Sequence, residues 1–119
     1  MVICLLFVGC FSCGPIKDKL YAPVAPDARL FQAAEEKYHK KVYSEAFSLY
    51  EKHAREYPNS DLSPQVFLRM GQIQIESQQY AKAQVLFQRV IREYPSSHSA
   101  KDAQIEILRA YYFIGKYQD

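Results

Sequence analysis

Apolar side chains return along this chain at helical spacing, in two stretches that answer each other. Over residues 80–94, Ala83, Leu86, Phe87, Val90, Ile91 and Tyr94 recur at intervals of three and one. That rhythm puts them on one stripe of an amphipathic helix. Residues 43–57 repeat the stripe with Ala46, Phe47, Leu49, Tyr50, Ala54 and Tyr57. Pro58 and Pro95 end both runs, because a proline disfavours α geometry in the residue before it and brings no N–H to the ladder. The restarts are polar. Ser63-Pro64 reads as a capping hydroxyl before a first-turn proline, and Ser99-Ala100-Lys101-Asp102 as a capping box. Asp27, after Pro26, reads as the cap of the first helix. The pattern predicts five helices, over 28–41, 44–57, 64–78, 81–94 and 100–114, with a sixth starting at Gln118. Links of two to six residues between them force antiparallel neighbours.

The stretches are copies at an offset of 37 residues. Tyr43–Ser60 and Tyr80–Ser97 agree at eight of eighteen positions, and Tyr117 falls on the same period. One unit of this kind cannot cover its own apolar face and must stack on the next. The fold class expected is therefore all-α, an α-solenoid of stacked helical hairpins. Its units are 28–63, 64–99 and an incomplete 100–119. The helix of the third unit carries Ile105, Ile107, Leu108, Tyr111, Tyr112, Phe113 and Ile114, apolar on nearly all sides. That surface calls for a cover, from further sequence or another chain. Without it, about 90 ordered residues would hold only about 4–13 kcal/mol of stability.

Gly71, Tyr80, Ala83, Phe87 and Pro95 match the signature of the tetratricopeptide repeat, and this stretch resembles that family. Ala34, Tyr43, Ala46, Tyr50 and Pro58 hold the same places one unit earlier; one unit later Leu108 replaces the small residue, Tyr117 keeps the phase, and Tyr111 restores an aromatic missing from the other two. The resemblance implies close-packed hairpins, small residues admitting a ring from the partner helix. The unit here is longer than the usual period of about 34, with the addition in the Tyr-Pro-x-Ser loop. That longer loop is similar to BamD-like outer-membrane assembly lipoproteins. The run Asp102–Leu108, continuing to Gly115-Lys116-Tyr117, resembles the N-terminal repeats of penicillin-binding-protein activators. The family resemblance also implies a concave groove lined by the first helix of each hairpin, in which partner proteins lie. By phase, that groove presents Phe31, Glu35, Tyr38 and His39, then Leu68, Gln72, Ile75 and Glu76, then Ile105, Arg109 and Tyr112.

The first thirteen residues, MVICLLFVGCFSC, form an almost unbroken apolar run. It is too short to span a bilayer, which takes about 20 residues, and suits the apolar part of a secretory signal. Phe7-Val8-Gly9-Cys10 resembles the bacterial lipobox, which implies lipid attachment at Cys10. Residues 14–27 hold three prolines and read as a semi-rigid tether. The three cysteines, Cys4, Cys10 and Cys13, all precede it, so no disulfide or cysteine-metal site is available to the repeats.

Composition narrows the chemistry further. The chain has 119 residues, 49% of them apolar and 24% charged, with a net charge of +2. That balance fits neither a disordered chain nor one steered to nucleic acid. His39, His53 and His98 stand too far apart for a metal motif, and no HExxH, phosphate loop or nucleophile elbow is present. His53 reads as partly packed on its helix, the other two as facing water. Lys37, Lys40 and Lys41 are diluted by Glu35 and Glu36 and read as a solvated face. No catalytic residue, metal or cofactor emerges, and no small-molecule substrate or nucleic acid.

The expectation is a non-catalytic scaffold for protein partners of the cell envelope, lipid-anchored on the periplasmic side of the outer membrane. It would act in outer-membrane protein assembly or in regulating peptidoglycan synthesis. Two alternatives stay open: the N-terminal part of a longer protein with a ligand-binding or enzymatic domain after residue 119, and a cytosolic adaptor.

Overall fold

The structure, a computed structural model, describes residues 23–116. Cys10 and the apolar run, most of the tether and the start of a sixth helix lie outside the described residues. Five α-helices follow in order: α1 Pro26–His39, α2 Tyr43–Glu56, α3 Ser63–Glu76, α4 Tyr80–Glu93 and α5 His98–Lys116. Among the described residues there is no strand. The fold is all-α, of tetratricopeptide type: α1 pairs with α2, α3 with α4, and α3 also packs against α2 and α5.

Each helix starts one or two residues before its expected position, because the starts are capped differently from the sequence reading. Pro26 opens α1 after Ala25, so the helix takes the end of the expected tether. Asp27 sits inside the first turn rather than capping it, and accepts a 2.6 Å hydrogen bond from the Ser60 hydroxyl. Ser63 and Ser99 are likewise within their helices and buried. The serines that act are Ser60 and Ser97, one period apart. Their hydroxyl oxygens accept from the backbone N–H of Leu62 and Ala100, each at 3.1 Å. The loop carrying them also repeats: the Ser60 N–H bonds to the Tyr57 carbonyl at 3.1 Å, and that of Ser97 to Tyr94 at 3.0 Å.

The turns within each hairpin are copies as well. After α1, the Val42 N–H reaches the Lys37 carbonyl at 2.9 Å and that of Lys41 reaches Tyr38 at 2.9 Å. After α3, Gln79 bonds to Gln74 at 2.8 Å and Gln78 to Ile75 at 3.0 Å. These are Schellman closures, which need one residue in the left-handed region. Lys41 and Gln78 supply it, both at φ 59°. Gly115 stands at the same register one unit later, yet keeps helical geometry, and α5 runs 19 residues against 14 for the others. Among the described residues no returning helix packs on α5 to hold such a turn.

The packing explains the small residues. A Cβ on Gly71 would collide with the Phe87 ring, and Phe87 is wholly buried. Ala34 and Tyr50, equivalent in the first hairpin, are also wholly buried. At the third register Leu108 is 68% exposed, since no second helix covers it among the described residues.

Candidate functional site

The first helices α1, α3 and α5 together wall a groove of about 430 Å³. Its apolar floor is Phe31, Leu68 and Ile105, one residue per helix at the 37-residue interval. On α1 and α3, three positions further on, sit Ala34 and Gly71, the small residues that admit the second helices, while α5 carries Leu108 there. The groove is thus a consequence of the repeat itself.

Polar side chains tie its walls together. Arg69 grips Glu35 with two bonds, Nε to Oε1 at 2.8 Å and Nη2 to Oε2 at 3.1 Å. The Tyr50 hydroxyl also donates to Glu35 Oε1. Arg69 Nη1 then donates to Gln72 Oε1 at 2.9 Å, and Gln72 Nε2 to Glu106 Oε1 at 3.1 Å. The Arg69 guanidinium lies 4.8 Å from the centre of the Tyr38 ring, close enough for cation–π attraction. One chain of bonds therefore runs from α1 through α3 to α5. Burial works to raise the Glu35 carboxyl, but the bonds from Arg69 and Tyr50 outweigh it and hold the group below its ordinary range. Burial, with the Glu35 bond, pushes the Tyr50 hydroxyl up.

Of the residues expected in the groove, Phe31, Glu35, Leu68, Gln72 and Ile105 line it. Tyr38 touches the network through its hydroxyl, 3.4 Å from Gln72 Oε1. His39 and Glu76 are exposed, each 3.6 Å from a network partner, Glu35 and Arg109 respectively. Arg109 also stands 3.6 Å from Glu106. Two expectations need correction. Ile75 is only 4% exposed and belongs to the core between hairpins, so it presents nothing to a partner. Tyr112 is exposed two helical turns beyond Ile105 and is not among the lining residues.

The sequence reading passed over Gln65, Arg69, His98, Ser99, Asp102 and Glu106, all of which line the groove. A signal existed. Glu35–Arg69, Tyr38–Gln72 and Gln72–Glu106 are all 34 residues apart. Equivalent residues recur at 37, but facing residues of stacked first helices meet about one helical turn earlier. Complementary side chains at an interval of 34 would have marked the network.

His53 departs from expectation in another way. It is wholly buried, with both ring nitrogens lacking a hydrogen-bond partner, between Phe31 and Tyr57. His39 and His98 are exposed, as the pattern suggested. Among the described residues no three His, Cys, Asp or Glu side chains gather as metal ligands would.

The helix pairs, the Gly71–Phe87 contact and the repeated turns are those of stacked tetratricopeptide hairpins. The tetratricopeptide-repeat family model matches residues 65–97. That span is the α3–α4 hairpin with the loop that follows, the part of the chain where the signature residues are complete. No curated protein matches the chain. Repeats of this family are typically non-catalytic and bind protein partners, which is the role the groove suits. Among the described residues no helix is long and apolar enough to cross a membrane.

Proposed function

We propose that this protein is a non-catalytic scaffold that holds a segment of a partner protein in the groove between α1, α3 and α5. The observation that carries this reading is the groove's construction. Its three apolar floor residues are spaced by the repeat, and a continuous polar network fixes the walls before any partner arrives. A wall held in place loses little entropy on binding, so more of the contact energy reaches the affinity. Aromatic and arginine side chains at the rim are the types that dominate such interfaces.

The partner belongs, in this reading, to the bacterial envelope, with outer-membrane protein assembly or regulation of peptidoglycan synthesis as its setting. Support comes from the N-terminal sequence, where Gly9-Cys10 closes a lipobox-like run and prolines follow as a spacer. Lipid on Cys10 would keep the repeats at the membrane surface.

Two measurements test it. A photoreactive residue at Gln65 should yield discrete adducts in the native host, and one at Val85, exposed on α4, should not. Equal labelling at both positions would reject the groove. Cys10→Ala should move the protein from the membrane fraction to the soluble one; an unchanged distribution would reject the anchor.

A further inference from the structure

The groove's charge is opposite to that of the molecule around it. Three acids, Glu35, Asp102 and Glu106, and one arginine, Arg69, are among its lining residues, while the whole chain carries +2. The two ends of this acidic character differ. Glu35 is fully engaged by Arg69 and Tyr50. Asp102 is not, and Glu106 is engaged by Gln72 and, more loosely, by Arg109. Asp102 is exposed and makes no ion pair or hydrogen bond among the described residues. Glu106 gives one oxygen to Gln72, and its other, Oε2, has no hydrogen bond, with Arg109 no nearer than 3.6 Å.

Asp102 and Glu106 stand one helical turn apart on the same face of α5, where like charges repel. Beside them lie the apolar side chains of Leu68 and Ile105. We propose that the segment held in this groove carries a basic side chain, its ammonium or guanidinium seated between Asp102 and Glu106 and its aliphatic stem laid on Leu68 and Ile105. Lysine and arginine suit such a site because their stems are apolar and only their tips need polar partners. A cation there relieves the Asp102–Glu106 repulsion and gives Asp102 the partner it lacks. An acidic segment instead meets Asp102, which has no cation beside it, and Glu106, whose one cation is Arg109 at 3.6 Å. The proposal rests on the reading of this groove as the binding surface and adds the chemistry of its occupant.

The test is a titration of the isotope-labelled full chain, followed by amide NMR shifts, with three short synthetic peptides. They share one neutral scaffold with two leucines and differ only in a central lysine, glutamine or glutamate. The lysine peptide should shift α3 and α5 groove amides and bind about tenfold more tightly than the glutamine one at low salt, as two partly desolvated ion pairs allow. The glutamate peptide should bind weakest, although the net charge of +2 attracts it in general. Asp102→Asn with Glu106→Gln should abolish the preference, with changes in the unbound spectrum confined to α5 and the neighbouring Gln72 and Glu76 region of α3, since Asp102 is exposed and glutamine still accepts from Gln72. If all three peptides shift the groove amides with equal affinity, or glutamate binds best, the basic-segment proposal is overturned and the groove reading survives. If no peptide shifts groove amides, both fall.

Discussion

At His53 a titratable ring has been placed where the second hairpin has Val90, and both residues are wholly buried. Burial lowers its affinity for a proton, and the Asp27 charge only partly opposes this. The folded state therefore binds fewer protons than the unfolded one below the ordinary histidine pKa of 6.5. Its contribution to stability is present above pH 6.5 and is lost as acidification proceeds through the lower folded value. Thermal melts at pH 7.5 and 5.5 should show a fall in Tm that shrinks in His53→Val; an unchanged pH dependence would contradict the assignment. Two other residues carry backbone strain. Lys41 and Gln78 hold a conformation that costs a side-chain-bearing residue roughly 1–2 kcal/mol. Gln78→Gly should raise stability by about 1 kcal/mol in denaturant titrations, less whatever the freer unfolded chain takes back. Neither feature was legible beforehand. The sequence pattern placed His53 beside a helical stripe, but only the approach of α1 closes over it. No glycine marked the turns.

Among the helices, the stripes and the prolines were legible because both act locally. Pro58 and Pro95 stop a helix whatever packs around it, so the five elements emerged within two residues of their bounds. The caps were misread because the Tyr-Pro-x-Ser loop folds on itself and offers Ser60 and Ser97 before Ser63 and Ser99 can act. Hairpin closeness is testable at Gly71. Alanine would gain roughly 1 kcal/mol of helix propensity, yet its methyl would collide with a ring that has no room to retreat. Overpacking of this kind costs typically about 1–3 kcal/mol, so Gly71→Ala should lower stability by about 1 kcal/mol or more in urea unfolding. Leu108→Gln, at the same register one unit later, should leave the midpoint within about 0.5 kcal/mol because that side chain is exposed.

Across the whole molecule, the groove residues divide by how they arise. Phe31, Leu68 and Ile105 were readable because they follow the repeat. Arg69 and Glu106 were not, because stacking brings them to partners at a different interval. Arg69 and Glu35 are mostly buried, so their pairing should matter more than that of an exposed pair. Arg69→Ala, which strands Glu35 beside Tyr50, should cost about 2–3 kcal/mol. Lys40→Ala, breaking the exposed pair with Glu36, should cost well under about 1 kcal/mol. Stacking itself is the claim from which groove, network and partner all follow. Nuclear Overhauser contacts in the labelled full chain test it most directly. The account predicts cross-peaks from the Phe87 ring to the Gly71 α-protons, and from the Tyr38 ring to the Gln72 side chain. Helical shifts in all five segments without either set of cross-peaks would mean that the helices form but do not nest, and would contradict it.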